Sequence, residues 1–216
     1  MAQLAPEAIA ADSFAFIRQT LQERGYQFDP PTAAVVERVI HSTADFEFAD
    51  LLRCSPDAID AGIAALRAGA DIICDVQMLR AGISAARLAT FGGCTHCFVD
   101  HLTVRDRAAA AGTTRSAQAM RLAGEQGLLK DSIVAVGNAP TALYALLRLI
   151  EEGARPALVI GVPVGFVGTR ESKGALMQQS SVPWIVTDGF KGGSSVAVAI
   201  VNALLRLAVA AGNEAL

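Results

Sequence analysis

The sequence predicts an α/β fold: one domain over residues 1–216, with a mostly parallel sheet of about five strands, helices on both faces and a helical N-terminal third. Three observations lead there. Short apolar runs recur, separated by segments with helical periodicity. Helical patterns dominate the first third. Glycine-rich turns follow three of the later strand-like runs and open helices, as at the carboxyl edge of a parallel sheet, where open α/β sheets bind ligands.

Pro6 to Glu23 reads as a helix with Ile9, Phe14, Ile17 and Leu21 on roughly one face. Asp29-Pro30-Pro31 is a helix start, an acidic cap followed by prolines in the first turn. The helix it opens has Val35, Val36, Val39 and Ile40 as its apolar stripe. Pro56 to Ala68 is a third helix, closed by Gly69. The strands are then Ile72–Cys74, Cys97–Val99, Ile133–Val136, Leu158–Ile160 and Trp184–Val186. Helical patterns occupy Asp75 to Ala81, Thr114 to Glu125, Pro140 to Glu151 and Glu171 to Gln179, and a last helix runs from Ser194 to near Ala210. Alternating strands and helices imply βαβ units and a parallel sheet buried on both faces.

Composition narrows the functional classes. Apolar residues make up 52% and charged residues 18%, a rich core under a thin polar surface, so a buried oligomer interface is expected. The net charge of -3 gives no support for nucleic acid as a partner, and none is expected. Cys54, Cys74, Cys94 and Cys97 suggest no disulfide framework, and Met1 to Ala11 lacks the basic flank and long apolar core of a signal peptide, so a cytoplasmic protein with reduced thiols is expected. Val196 to Ala211 is short for a bilayer span and carries Asn202 and Arg206, which favours a buried or dimer-facing helix and no membrane.

The three glycine-rich turns are Gly137-Asn138-Ala139-Pro140-Thr141, then Gly161 to Gly168 running into Glu171-Ser172-Lys173, then Lys191-Gly192-Gly193-Ser194. Backbone N–H groups at helix starts favour anionic groups. Together the turns predict a pocket for a large anionic ligand, with Asn138, Thr141, Lys173 and Ser194 as contacts by turn position. The spacing of Gly161, Gly165 and Gly168 fits neither a dinucleotide fingerprint nor a P-loop. Arg115 sits in another polar helix start, where its fork of donors suits a carboxylate. Among three histidines, His41 shares a helix side with Arg38, opposite the apolar stripe, and so faces water, a partner chain or a ligand. A helix ending soon after His41 would favour its protonated form. Cys94-Thr95-His96-Cys97 has metal-ligand chemistry, but a strand over residues 97 to 100 would split the set across two faces; the expectation is ordinary thiols and no protein-bound metal.

These segments together resemble the precorrin-8X and cobalt-precorrin-8 methylmutases of cobalamin biosynthesis. The similar stretches are Ser13-Phe14, Arg38 to Phe46, Ala89 to Gly93, Thr114-Arg115-Ser116, Gly137 to Leu143, Gly161 to Gly168, Glu171-Ser172-Lys173 and Lys191 to Ser194, in order over nearly the whole chain. The wording at Thr43 to Phe46 and Ala89 to Gly93 looks closer to the cobalt-dependent, anaerobic branch. The resemblance implies a three-layer α/β/α homodimer with its active site near the subunit interface. It implies an intramolecular methyl shift on ring C of a tetrapyrrole, with no cofactor and any cobalt carried inside the substrate. His41 maps onto the histidine of that family, Ser13 onto its substrate-contacting serine, Arg38 onto the arginine before the histidine and Arg115 onto the arginine of its Thr-Arg-Ser motif. A carrier that holds the corrin product for the next pathway enzyme is the alternative reading. A nucleotide-binding α/β protein is a third.

Overall fold

The computed structural model describes residues 6–213; the first residues of the stretch read for a signal peptide lie outside them. The chain opens with α1 (Pro6–Glu23), α2 (Pro30–Thr43) and the one-turn α3 (Phe48–Leu51), then β1 (Leu52–Cys54) and α4 (Ala58–Arg67). Next come β2 (Ile72–Cys74), α5 (Gln77–Gly82), α6 (Ala85–Ala89), β3 (Thr95–His96), α7 (Leu102–Ala110) and α8 (Arg115–Glu125). The C-terminal half is β4 (Ile133–Val136), α9 (Pro140–Glu151), β5 (Leu158–Gly161), α10 (Thr169–Met177), β6 (Trp184–Thr187) and α11 (Ser194–Asn213).

The described strands form one six-stranded sheet in the order β1-β6-β5-β4-β2-β3, parallel except for β1 against β6. Side chains alternate across it as the pleat requires. Ile72, Cys74, Ile133, Ala135, Leu158, Ile160 and Ile185 pack with α1, α2, α4 and α11 on one face. Ile73, Val134, Val136, Val159 and Val186 pack with α8, α9 and α10 on the other. With both faces covered, the parallel strands read as continuous apolar runs. The segment Ser194–Ala211 of α11 is long and apolar enough to cross a membrane. In this fold α11 is a core helix, packed on α2, α4 and α5.

Local signals placed several elements well. Asp29 caps α2 by accepting the Thr32 N–H at 3.2 Å, and Thr114 caps α8 by accepting the Ala117 N–H at 3.2 Å. Other boundaries moved. β1 adds a sixth strand: Leu-Arg-Cys has no apolar run, and it is a strand because Arg53 pairs with Val186 across the sheet edge. The strand expected at Cys97–Val99 lies at Thr95–His96, set by the register of Thr95 opposite Ile72. The helix expected from Asp75 starts at Gln77, the one expected from Pro56 starts at Ala58, and the one expected from Glu171 begins at Thr169. The short helices α3, α6 and α7 carry too few turns for a periodic signal, and all four cysteines are free.

Candidate functional site

The carboxyl ends of β4, β5 and β6 carry the three glycine-rich turns, as expected, and the turns are bound to one another and to the end of α2. After β4, the Asp75 carboxylate accepts three N–H bonds, from Gly137 at 3.1 Å, Asn138 at 2.8 Å and Ala139 at 2.9 Å. Burial pushes the Asp75 carboxyl up, and these three donors act against that shift. The turn read as an anion cradle is thus filled by the protein's own carboxylate, which explains why α5 starts late.

The turns after β5 and β6 lock together. The Gly193 N–H donates to Val162 O at 2.8 Å, and the Gly165 N–H to Phe190 O at 3.3 Å. At Gly192 a Cβ would stand 2.3 Å from Val162 O, so only glycine fits that crossing. Below it lies Lys173, whose ammonium donates to Thr187 Oγ1 at 3.2 Å, Gly189 O at 3.1 Å and Lys191 O at 2.7 Å. Burial lowers the Lys173 pKa to about 8. Above, Lys191 pairs with Asp45 and Glu47, each at 2.6 Å, and its bond to Asp45, followed by the Glu47 N–H donated to the same carboxylate, holds the Asp45 carboxyl below its usual range. The last turn therefore reaches the segment just beyond His41.

His41 lies in the last turn of α2, which ends at Thr43 with Ala44 in the left-handed region as its cap. Free carbonyls at such a helix end favour a cation nearby. The imidazole stacks on Phe14 of α1 with ring centroids 4.7 Å apart and planes 17° from parallel. The Arg38 guanidinium lies 4.9 Å from the centre of the same ring. Burial, then repulsion from Arg206 and Arg87, lowers the Arg38 pKa. None of these three arginines forms an ion pair among the described residues.

Two recesses flank this point. One, of about 540 Å³, is lined by Ser13, Phe16, His41 and Phe46; the other, of about 570 Å³, by Glu47, Val164, Phe166, Phe190 and Lys191. Phe46 and Glu47, adjacent in the chain, put the two side by side. Phe166 (85% exposed) and Val167 (90% exposed) add apolar surface at their rim. A broad apolar face beside arginines suits a flat, conjugated, carboxylate-bearing ligand.

The structure brings Ser13, Arg38 and His41 together; Ser13 Oγ donates to Ile9 O at 2.8 Å while lining the recess of His41. Arg115, Asn138 and Thr141 are exposed but line neither recess. Arg115 meets Asp100 at 3.5 Å, and Thr141 Oγ1 meets Thr114 Oγ1 at 2.7 Å. Two expected contacts are corrected. Lys173 is fully buried with its three donors engaged, so it holds the last turn rather than capping a ligand. Ser194 is 9% exposed, with its Cα beneath the close approach at Gly137. Phe14, Asp75 and Lys191 were missed as site residues. For Phe14 the signal was the Ser13-Phe14 stretch itself; for Asp75 and Lys191 the partners lie far along the chain.

Comparisons with known proteins identify the family. The family profile described as precorrin-8X methylmutase matches residues 8–207. A cobalt-precorrin-8 methylmutase of Leptospira interrogans is 45% identical over 186 residues, 83% of this chain and 84% of its own. A precorrin-8X methylmutase of Pseudomonas aeruginosa is 44% identical over 200 residues, 92% of this chain and 94% of its own. The solved precorrin-8x methyl mutase from Thermus thermophilus superposes with a TM-score of 0.87 at 48% identity, covering 95% of this chain and 98% of that one. The chain belongs to the precorrin-8X methylmutase family.

Proposed function

We propose that this protein is an isomerase of cobalamin biosynthesis that moves a methyl group between neighbouring carbons of ring C of precorrin-8 or its cobalt form. Family membership supports the reaction class. The observation that carries the reading on this chain is the accessible His41 imidazole, stacked on Phe14 beside Arg38 at the mouth of an apolar recess.

In the shift, the methyl carbon's bond to one ring carbon breaks as its bond to the neighbour forms. Substrate and product are isomers, so no methyl donor is consumed. Protonating a ring nitrogen makes the conjugated system a better electron sink. One positioned acid that titrates near working pH suffices, and histidine is that residue type. His41 donates this proton and takes it back once the methyl has moved, with Phe14 holding its ring plane. Arg38 and Ser13 hold the substrate, and the unpaired charges of Arg87 and Arg206 draw its carboxylates to this side. Any cobalt belongs to the substrate.

The protein works as a homodimer and passes its corrin product to the next pathway enzyme. The exposed Phe16, Phe166 and Val167 supply apolar surface for such contacts, and four free thiols suit the reducing cytoplasm. The test is an absorbance time course on metal-free and cobalt-containing precorrin-8 in parallel, without methyl donor and with His41→Ala as control. Conversion to a corrin spectrum over many turnovers supports the mutase, and the faster substrate identifies the branch. Binding without turnover on either substrate overturns it. A monomer mass in light scattering at micromolar concentration overturns the dimer.

A further inference from the structure

Asp71, Cys94 and His96 cluster at the edge of the sheet opposite the recesses. Asp71 precedes β2, Cys94 precedes β3, and His96 ends β3. The parallel register of Ile72 opposite Thr95 fixes Asp71 beside Cys94, and the Ile72 N–H donates to Cys94 O at 2.9 Å. Strand alternation puts Cys94 and His96, two residues apart, on one face. The expectation of no metal ligands rested on a strand starting at Cys97. With the strand two residues earlier, the same alternation unites Cys94 and His96, and Cys97 turns to pack on the core.

One donor atom from each of the three residues lies within 4.8 Å of the other two. Cys94 Sγ lies 3.3 Å from His96 Nε2 and 3.2 Å from Asp71 Oδ1, and His96 Nε2 lies 2.9 Å from Asp71 Oδ2. Tetrahedral zinc, with Zn–S near 2.3 Å and Zn–N or Zn–O near 2.1 Å, needs separations of about 3.4–3.6 Å. The sulfur–nitrogen pair has to open by only about 0.3 Å to reach that spacing, and a carboxylate oxygen of Asp71 lies within 4.8 Å of both. The donors are already oriented. The Cys94 N–H holds Asp71 Oδ1 at 2.8 Å, and the His96 ring lies 8° from parallel to Phe98. Both His96 (26% exposed) and Asp71 (34% exposed) are open to an arriving ion.

We propose that Asp71, Cys94 and His96 bind one zinc ion, with water in the fourth position, as a clasp on the short edge strand β3. One thiolate and one carboxylate neutralise a divalent cation, and a sulfur–nitrogen–oxygen set favours zinc over magnesium or calcium. The two-residue β3 is the sheet's edge, and the ion ties it to β2. No group lining the recesses takes part.

The test uses the full chain after chelator treatment, titrated with Co²⁺ as a spectroscopic stand-in for zinc. The expected result is a thiolate-to-cobalt charge-transfer band that saturates at one equivalent and is lost in Cys94→Ser and Asp71→Asn, with far-ultraviolet circular dichroism unchanged. Cys97→Ala, which removes a core-packed thiol outside the cluster, keeps the band. Zinc at a hundredfold excess over its Kd should raise Tm by about 5–10 °C in the wild type and leave Cys94→Ser unmoved. Absence of the band at stoichiometric Co²⁺, or its survival in Cys94→Ser, overturns the site. An unchanged wild-type Tm with zinc overturns the clasp. Methyl shift by Cys94→Ser at the wild-type rate keeps this outcome separate from the proposed isomerase.

Discussion

Phe14 and His41 stack at 4.7 Å although they belong to different helices, and Arg38 rests on the same ring one helical turn before His41. The pair joins α1 to α2 where the apolar recess opens. It makes an exposed imidazole an oriented one, which a proton donor to a ring nitrogen requires.

His41→Ala should lower kcat by about 10²–10⁴-fold, the usual contribution of a general acid. Affinity for the corrin product should stay within a few-fold. The side chain is exposed, so stability should change by less than about 1 kcal/mol. Single-turnover kinetics beside product titration separates these effects, and normal turnover would remove His41 from the chemistry.

Phe14→Ala removes the platform under both His41 and Arg38. The expected cost is about 1 kcal/mol in stability, from the lost ring contacts, with kcat down about tenfold as the imidazole loses its orientation. Phe14→Tyr keeps the stack and should restore most of the rate. Failure of tyrosine to rescue would argue against a positioning role.

Lys173 predicts a pH dependence of stability. Folding lowers its pKa to about 8, whereas an unfolded lysine holds its proton to about 10.4. Between those values the unfolded chain binds more protons, so stability rises with pH by up to about 1.4 kcal/mol per unit. Below pH 8 both states are protonated and this slope vanishes. Urea midpoints from pH 7 to 10.5 should show it in the wild type and not in Lys173→Met.

Asp75→Asn replaces a carboxylate that accepts three N–H groups with one carbonyl acceptor and an NH₂ donor. The expected loss is about 1–3 kcal/mol by urea unfolding, because N–H groups of the turn, that of the buried Gly137 among them, lose their acceptor. Amide exchange at Gly137, Asn138 and Ala139 should speed up. Unaltered exchange there would show that Asp75 does not hold the turn.

Gly192→Ala forces a Cβ onto Val162 O, a backbone atom with no room to give. Stability should fall by at least about 2 kcal/mol. The corrin should also bind more weakly, since the turns after β5 and β6 separate beside the recess. Gly174→Ala, where a Cβ meets open space, is the matched control.

The sequence by itself determined whatever depends on short-range pattern. The apolar runs at Ile133–Val136, Leu158–Ile160 and Trp184–Val186 became central or near-central parallel strands, the last two one residue longer than read, because their two buried faces require unbroken hydrophobicity. The cap at Asp29 was legible because a cap and its N–H partner lie three residues apart. Ser13, Arg38 and His41 were legible because their stretches resemble a known family. Tertiary structure alone decided the rest, because the partners are far apart in the chain. Cross-sheet pairing made Leu52–Cys54 a strand and placed β3 at Thr95–His96. Asp75 filled the turn that pattern had assigned to a ligand anion, and three acceptors in the following turn drew Lys173 inside. A buried charge settles where its hydrogen bonds can be completed, and in a parallel sheet those groups arrive from the next strand's turn.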